Sequence, residues 1–525
     1  MIAVLEAHKA NLFRRQFLAP NLIAGLIVGI VALPLAMAFA IASGLKPEAG
    51  LWTAIIAGFL ISLLGGSSVQ IGGPAGAFIV IVYGIVQQFG VGGLIAATLI
   101  SGVLLFVMGL LRLGTLVRFI PIAVIIGFTN GIAVLIGLSQ VKDFLGLSIE
   151  KMPGDFFGIL GALWGQLHTF NPWALGVALA SLIVIAVWQQ GMPALGARAP
   201  FSGRLNRVPG SIVALVLATT AVGVFKLPVE TIGSRFGGVP STLPSPIIPT
   251  VTWERIRELF QPAFTIAFLA GVESLLSAMV ADGMTGRRHR SNCELVAQGV
   301  ANVASGLFGG ISATGAIART ATNIRAGGRT PVAGMMHALF ILASMLALGP
   351  LMAYVPLASL AAVLVIVAWN MSEHERFRHL LGGPVGDRIV LLATFGLTVL
   401  VDLTVAIEVG IVLAAIIFMH RMAEATAIQK GVSLVEKDRD DFSDPARTAY
   451  RARRDLPKGV ELFEFIRGDI AELKARLFDP QSHSVIMAGM EATWWLNDHL
   501  DEWLGENHAG ASAQAKVTAY WTNRL

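Results

Sequence analysis

The chain contains two stretches that interrupt apolar sequence with glycine, proline and hydroxyl residues: GGISATGAIARTATNIR at Gly309–Arg325 and QIGGPAGAFIVIV at Gln70–Val82. An interruption followed by renewed apolar sequence is typical of a half-helix that begins inside a membrane. The N-terminal end of a helix presents unpaired N–H groups and about half a positive charge. Two such ends facing each other would bind an anion at the middle of the bilayer. The two stretches therefore predict an anion site within a membrane domain.

The composition supports a membrane protein. Of the 525 residues 55% are hydrophobic and 14% are charged, and the mean hydropathy is +0.72. Apolar runs recur from about Leu22 to His420, and a span needs about 20 apolar residues, which gives about fourteen spans. We therefore predict an all-α membrane fold. The net charge of +5 does not indicate nucleic-acid binding, because the basic residues lie in short loops, where they set the topology.

The positions of the two stretches predict an internal repeat. Each comes third in a set of about seven spans, so we expect a seven-plus-seven inverted repeat, which brings the interruptions together. AGAFI at Ala75–Ile79 aligns with TGAIA at Thr314–Ala318. WERIRELF at Trp253–Phe260 predicts an amphipathic helix lying on the membrane surface. The predicted transmembrane domain covers 20–424, with repeats at about 20–225 and 262–422.

Loop charges predict the orientation. Most arginines, led by Arg287, Arg288 and Arg290, fall on the side of both termini, which the positive-inside rule makes cytoplasmic. Residues 1–19 are then a cytoplasmic N-terminal segment. Alternating strand and helix patterns over 425–525 predict a linker and a small cytoplasmic α/β domain. We expect a multi-pass protein of the inner (plasma) membrane.

Arg319 and Glu273 are the sharpest functional candidates. A charge deep in a membrane costs about 3 kcal/mol or more, so Arg319 should lie near an anionic substrate or near Glu273. A structural ion pair, or a guanidinium that reaches the membrane interface, is the alternative. Glu273 could change its protonation as the anion binds and leaves, which would couple transport to protons; a permanently ionised brace to Arg319 is the alternative. Ser277, one turn further on the same face, could donate a hydrogen bond.

Other polar residues predict structural roles. We expect His337 to be a hydrogen-bonded packing residue rather than a proton relay, and Cys293 to be an inert thiol at a helix start. Asp402 and Glu408 predict a tight turn and an interface contact. The membrane part contains no nucleophile–histidine pattern, metal-ligand spacing or phosphate loop. We therefore predict neither enzyme activity nor a cofactor or metal.

Four stretches together resemble the SulP anion permease family. They are IAGLIVGIVALPLAMAFAIASG from Ile23, GGSSVQIGGPAGAFIVIV from Gly65, the run from Glu273 to Arg325, and VDLTVAIEVG from Val401. The resemblance covers about 15–422 and implies a core domain, a gate domain, homodimers and a C-terminal STAS domain. Family substrates include sulfate, chloride, bicarbonate, oxalate and C4-dicarboxylates. The resemblance implies a secondary transporter of a small inorganic or organic anion, coupled to protons or alternatively to sodium.

The resemblance also implies which residues surround the anion. Some family members carry glutamine where Leu35 stands and serine where Ala316 and Ala318 stand, so here backbone amides must supply those hydrogen bonds. The C-terminal part has GMEATWWLND in place of the family's Asp-x-Ser/Thr-Gly turn, which indicates a divergent STAS domain. Including Gly315 from the interrupted stretch, the predicted substrate residues are Phe39, Ala75, Gly76, Gly315, Ala316, Ala318 and Arg319, with Glu273 and Ser277 for coupling.

Three other functions are compatible with the residues. An uncoupled anion channel of the same architecture would show ohmic conductance. A nucleobase permease of similar repeat plan would be inhibited by uracil. A membrane receptor would signal through its soluble domain.

Overall fold

Helices form most of the part of the chain that the structure describes. The computed structural model describes 2–9, 14–115, 121–149, 151–196 and 209–419, apart from positions 243, 248, 250, 251, 402, 404, 411, 414 and 418. The described residues up to Ile417 belong to one unit. Asp402 and the predicted domain at 425–525 lie outside the described residues.

Seven of the described helices are long and apolar enough to cross a membrane, and four shorter apolar helices accompany them. The chain therefore forms a helical membrane domain, as predicted. The shorter helices include Val405–Ile417. In chain order, the other helices are α1 (Ala3–Lys9), α2 (Arg15–Ala42), α3 (Pro47–Leu64), α4 (Ile79–Leu110), α5 (Ile122–Leu145), α6 (Phe156–Gly165), α7 (Pro172–Gly196), α8 (Gly210–Phe225), α9 (Ile232–Phe236), α10 (Trp253–Thr285), α11 (Ser291–Leu307), α12 (Ile317–Arg325), α13 (Val332–Met352), α14 (Leu357–Met371), α15 (His374–Leu381) and α16 (Val385–Leu400).

The two interrupted stretches meet as a short β-ladder. β1 (Gly72–Pro74) pairs antiparallel with β2 (Ala313–Gly315), so that Gly73 lies opposite Thr314. A single 3-10 turn leads from β1 into α4, and α12 follows β2. The predicted meeting of the interruptions is confirmed, whereas the sequence did not predict the strands.

The structurally equivalent positions of the two interruptions differ from those that the sequence alignment of Ala75–Ile79 with Thr314–Ala318 paired. Ala75 precedes the first helical turn after β1, and Ala316 precedes α12; both have extended backbone and lack a capping side chain. The strands and helix starts therefore equate Ala75 with Ala316, two residues beyond the aligned Thr314. The alignment was wrong because small residues recur on both sides of each interruption and match in more than one register.

The predicted surface helix at Trp253–Phe260 is also wrong. These residues form the first turns of α10, which continues through Pro262 to Thr285. The Thr252 side chain caps the helix by accepting from the Arg255 N–H. Arg255 Nη2 donates to the carbonyl of Phe89 at 3.2 Å, beside Gly90, where α4 has non-helical backbone (φ 67°, ψ −177°). Arg255 in these charged turns thus donates a hydrogen bond to a carbonyl group at the break between the two arms of α4.

The helices pack in two groups. In the first group α4 contacts α10 and α11, and α2 contacts α3 and α13. In the second group α5 contacts α14 and α16, and α7 contacts α8. The β-ladder lies with the first group, against α3 and α10. This arrangement agrees with a division into core and gate helices.

Glycines bring α4 and α11 into backbone contact. A Cβ atom at Gly299 would lie 2.5 Å from the backbone nitrogen of Phe106 and 2.7 Å from the carbonyl oxygen of Gly102. Small residues at such crossings let membrane helices approach closely, because packing replaces the hydrophobic driving force inside lipid. The close contact between α4 and α11 therefore requires that Gly102 and Gly299 carry no side chain beyond a hydrogen atom.

We predict that Gly299→Ala lowers the melting temperature in detergent, measured by intrinsic tryptophan fluorescence. Overpacking typically costs about 1–3 kcal/mol, which outweighs the gain of up to about 1 kcal/mol in helix propensity. Gly137→Ala in α5 is the matched control, because no heavy atom lies within 4 Å of its Cβ position. Equal melting temperatures for the two variants would contradict the close crossing.

Candidate functional site

Arg319 joins the two interrupted stretches. It is the third residue of α12, and its side chain is buried. Its Nη2 donates to the carbonyl oxygen of Pro74 at 2.6 Å. A Cβ atom at Gly73 would lie 2.6 Å from Nη1, and Gly73 has φ +146°, so only glycine suits this position. The guanidinium therefore lies across β1, next to the start of the helix that follows β1, and does not extend to the membrane interface.

Glu273 lies close to Arg319 without pairing with it. The two groups are near enough to interact electrostatically. Among the described residues, however, Arg319 forms no ion pair, and the buried Oε2 of Glu273 has no hydrogen-bond partner. The alternative of a tight ionised brace is therefore not what the structure shows. Arg319 retains capacity to hold an anion, and Glu273 retains capacity to bind a cation.

Ser277 positions α12. Its hydroxyl donates to Thr320 Oγ1 at 3.3 Å, and Thr320 Oγ1 accepts from the Ile71 N–H at 3.1 Å. Ser277 therefore donates a hydrogen bond, as predicted, but the bond ties α10 to α12 instead of pointing to an anion.

The start of the helix that follows β1 is surrounded by three predicted residues, Phe39, Ala75 and Gly76. All three are buried, and a Cβ atom at Gly76 would lie 3.6 Å from Phe39 Cε1 and 3.6 Å from Met371 Sδ. Val367 lies 3.8 Å from the same position. Val367 and Met371 come from α14, of the second helix group, and they were missed because an apolar helix face carries no mark of what it contacts. The start of the helix that follows β1 therefore lies where the two helix groups meet.

The residues at the start of α12 differ in exposure. Ala318 is exposed and Ala316 is half-buried, so both can border an accessible space. Gly315 does not, because its Cβ position lies 1.6 Å from Gln70 Nε2. Gly315 is a glycine because the Gln70 side chain occupies that space, which makes it a structural residue rather than a lining one.

A buried carboxylate, Glu294, organises the chain that leads into β1. Its Oε2 accepts from the backbone N–H groups of Gly66 at 2.9 Å and Ser67 at 3.2 Å. Its Oε1 accepts from Gln298 Nε2 at 3.0 Å and from Ser274 Oγ at 3.4 Å. Glu294 was not among the predicted residues, although a carboxylate in an apolar segment is itself an indication of function or of a buried network.

Gln70 extends this network to the ladder. Its Nε2 donates to Ser274 Oγ at 2.8 Å and to the Ser274 carbonyl oxygen at 3.2 Å. Asn302 of α11 holds β2 in turn, donating to the Ala313 carbonyl at 2.9 Å and accepting from the Ala313 N–H at 2.8 Å. Side chains of α10 and α11 therefore fix both interrupted stretches.

His337 differs from its prediction. It is fully buried on α13, yet neither ring nitrogen has a hydrogen-bond partner among the described residues. A Cβ atom at Gly58 would lie 3.6 Å from its Cε1, and its ring is close enough to Arg319 to interact electrostatically. The expectation of a hydrogen-bonded packing histidine is therefore wrong.

Two further predicted residues have simple environments. Cys293 is the third residue of α11, and its thiol lies 3.5 Å from the Leu64 carbonyl oxygen, as expected of a helix start. Glu408 accepts from Gln261 Nε2 at 3.2 Å, far along the chain from the ladder. Within the described residues, no group of three or more His, Cys, Asp or Glu side chains could hold a metal ion.

Comparisons with known proteins are consistent with this geometry. The model of the sulfate permease family matches residues 18–394. YvdB of Bacillus subtilis is 46% identical over 417 residues, which cover 79% of this chain and 76% of YvdB. The bicarbonate transporter BicA of Picosynechococcus is 32% identical over 416 residues, which cover 77% of this chain and 70% of BicA.

A solved structure shares the fold. The transmembrane domain of a cyanobacterial bicarbonate transporter BicA superposes with a TM-score of 0.66 at 32% identity. The match covers 75% of this chain and 98% of that domain.

We predict that Glu294→Ala lowers the melting temperature strongly, because it leaves the Gly66 and Ser67 N–H groups and the Ser274 hydroxyl buried without an acceptor. Gln298 Nε2 would lose one of its two acceptors and keep Ser274 Oγ. Each unsatisfied buried donor costs about 1–3 kcal/mol, so the total loss should be about 3 kcal/mol or more. Glu294→Gln keeps one acceptor oxygen and should lie in between. The control is Glu254→Ala, at an exposed carboxylate in the first turn of α10. Equal melting temperatures for Glu294→Ala and this control would refute the bracing role.

Proposed function

The chain belongs to the sulfate permease family, and we propose that it is a secondary active transporter that carries small anions of the sulfate, bicarbonate or C4-dicarboxylate type across the cell membrane. The observation that carries this proposal is the junction of β1 and β2, where Arg319 crosses from one helix start to the other. Two helix N-termini and a guanidinium converge there on a small region, which favours a negative ligand.

The proposed anion site lies between the two helix starts. Phe39, Ala75 and Gly76 would line one side, and Ala316, Ala318 and Arg319 the other. Because alanine and glycine side chains cannot donate hydrogen bonds, recognition would depend on backbone N–H groups in the first helical turns and on the guanidinium. Such a site selects charge and size more than shape, which suits small tetrahedral or planar anions.

Glu273 is the proposed coupling group. Its Oε2 is buried and has no hydrogen-bond partner among the described residues, and Arg319 is near enough to influence it. An anion on Arg319 would repel an ionised Glu273, so binding of the anion favours uptake of a proton by the carboxylate. Anion and proton would then move together. A sodium ion bound by the same carboxylate is the alternative coupling ion.

The proposed architecture is a seven-plus-seven inverted repeat with both termini in the cytoplasm. The proposed count sets the short α6 aside, treats the two arms of α4 at Gly90 separately, and leaves seven elements before residue 226 and seven after it. The first seven are α2, α3, the two arms of α4, α5, α7 and α8, and the second seven are α10, α11, α12, α13, α14, α16 and Val405–Ile417. The equivalence of Ala75 and Ala316 supports the repeat, and an odd number of elements per repeat inverts the second copy. The two helix groups would exchange access to the site by an elevator-like or rocking motion.

The proposal also includes the regions that were predicted to lie outside the membrane domain. The segment 1–19 is cytoplasmic, and 425–525 contains a linker and a STAS-like domain. As the resemblance implies, the protein would work as a homodimer.

We predict that purified protein in liposomes takes up labelled sulfate, bicarbonate, fumarate or succinate with saturation. Arg319→Gln should raise the half-saturating concentration about 10–100-fold, because a hydrogen bond to a charged group contributes about 1.5–3 kcal/mol. Arg325→Gln is the matched control, since Arg325 is exposed in the last turn of the same helix. Ohmic conductance without saturation would indicate a channel instead, and uptake blocked only by uracil would indicate a nucleobase permease.

We predict that an inward proton gradient accelerates uptake by the native protein and has no effect on Glu273→Gln, which cannot exchange a proton. Uptake along an anion gradient should persist in this variant, which distinguishes lost coupling from misfolding. A sodium gradient in place of the proton gradient tests the other coupling ion. pH-driven uptake that is unchanged in Glu273→Gln would exclude the coupling role.

A further inference from the structure

A second polar space lies along the first arm of α4, beyond the helix start. It is a cavity of about 340 Å³. None of the residues predicted for substrate binding or coupling lines it. Its walls come from α4, the end of α2, the end of α5, the segment that follows α5, and α9.

The cavity runs from the proposed anion site toward one end of the membrane domain. Ile79, Tyr83 and Gln87 line it, and residues four apart share one helix face. At 1.5 Å per residue this face extends about 12 Å along α4. Ile79 is the first residue of α4, three residues after Gly76, whereas Gln87 is exposed near the break at Gly90. The cavity thus follows the helix from about one turn beyond Gly76 to the surface.

The charged residues of the cavity are mainly basic. Lys142, Lys151 and Arg235 line it together with one carboxylate, Asp143. Arg235 Nη1 pairs with Asp143 at 2.7 Å, and its Nη2 pairs with Glu230. Lys142 Nζ donates to the Ile149 carbonyl oxygen, and Lys151 is exposed. Neither lysine forms an ion pair among the described residues, and the described lining side chains carry three positive charges against one negative charge.

The cavity also lies where the two helix groups approach each other. The Tyr83 hydroxyl, on α4, donates to the Met152 carbonyl oxygen in the segment after α5. The Tyr83 ring packs on Gly44, where a Cβ atom would lie 3.1 Å from the ring and φ is +76°. The hydrogen bond between Tyr83 and Met152 bridges this space, so the width of the cavity can change when the two helix groups move.

We propose that this cavity is a first binding station for small anions, which captures them through Lys142 and Lys151 before they reach the site at the helix starts. The inference rests on the proposed function, since it concerns how that anion arrives. A concave space in which one sign of charge predominates focuses the field and raises the local concentration of counter-ions. The station therefore favours divalent over monovalent anions.

The test is the combined variant Lys142→Gln, Lys151→Gln in liposomes, with labelled sulfate and labelled bicarbonate at physiological ionic strength. Two unit charges about 7 Å from the anion, in water-like dielectric with salt screening, predict a half-saturating concentration raised about twofold for bicarbonate and about fivefold for sulfate. The larger effect on the divalent anion follows because its interaction energy doubles and the fold-change is squared. The maximal rate should stay within about twofold of the native value.

Two control variants sharpen this test. Lys151→Arg keeps the charge and should behave as the native protein. Lys226→Gln removes an exposed lysine that does not line the cavity and should leave both half-saturating concentrations unchanged. An unchanged half-saturating concentration in the double variant overturns the station, as does an equal change for sulfate and bicarbonate. If the native protein carries neither anion nor any other of the panel, the proposed function fails instead.

A second measurement does not depend on the folding of the double variant. Cys293 is the single cysteine of the chain, so Lys151→Cys in a Cys293→Ser background offers one thiol in the cavity. A negatively charged methanethiosulfonate added to both sides of the membrane should raise the half-saturating sulfate concentration, and a positively charged one should lower it again. Sulfate should slow the modification by the negative reagent. Reagents of opposite charge with equal effects, or no protection by sulfate, would refute the station.

Discussion

The structure depends on how an interrupted chain satisfies its backbone inside an apolar membrane domain. An unpaired N–H or C=O group in such a place costs several kcal/mol, so each interruption needs a partner. β1 and β2 are that partner for each other, with Gly72 opposite Gly315 and Pro74 opposite Ala313. The pairing fixes both helix starts relative to one another. The geometry of the proposed anion site therefore follows from backbone hydrogen bonding before any side chain is considered.

The buried polar side chains around this ladder fall into two classes. Glu294 and Asn302 form hydrogen bonds through both of their side-chain polar atoms, and they hold the ladder in place. Glu273 and His337 instead have atoms without a partner in the described part of the chain, and both are close to Arg319. Satisfied groups give rigidity, whereas unsatisfied groups are available to a ligand or a proton. The proposed coupling group, Glu273, belongs to the second class.

The two helix groups differ in how they make contact. Within the first group, α4 and α11 meet backbone to backbone at Gly102 and Gly299, which allows little relative movement. Between the groups, the contacts include Tyr83 with the Met152 carbonyl oxygen and a polar cavity beside it. Contacts of this kind can break and re-form at modest cost. The proposed alternating motion and the proposed anion station both use this softer boundary.

The sequence by itself determined the membrane class, the helices and the two interruptions, because hydropathy and breaker residues act locally, and it singled out Arg319 and Glu273 as candidates. Only the tertiary structure decided that the interruptions pair as strands, that Ala75 corresponds to Ala316, that Gly315 accommodates Gln70, and that the predicted surface helix is part of α10. The first three of these facts depend on which surfaces meet across more than two hundred residues of chain. A local pattern states what a segment can form, and packing decides what it touches.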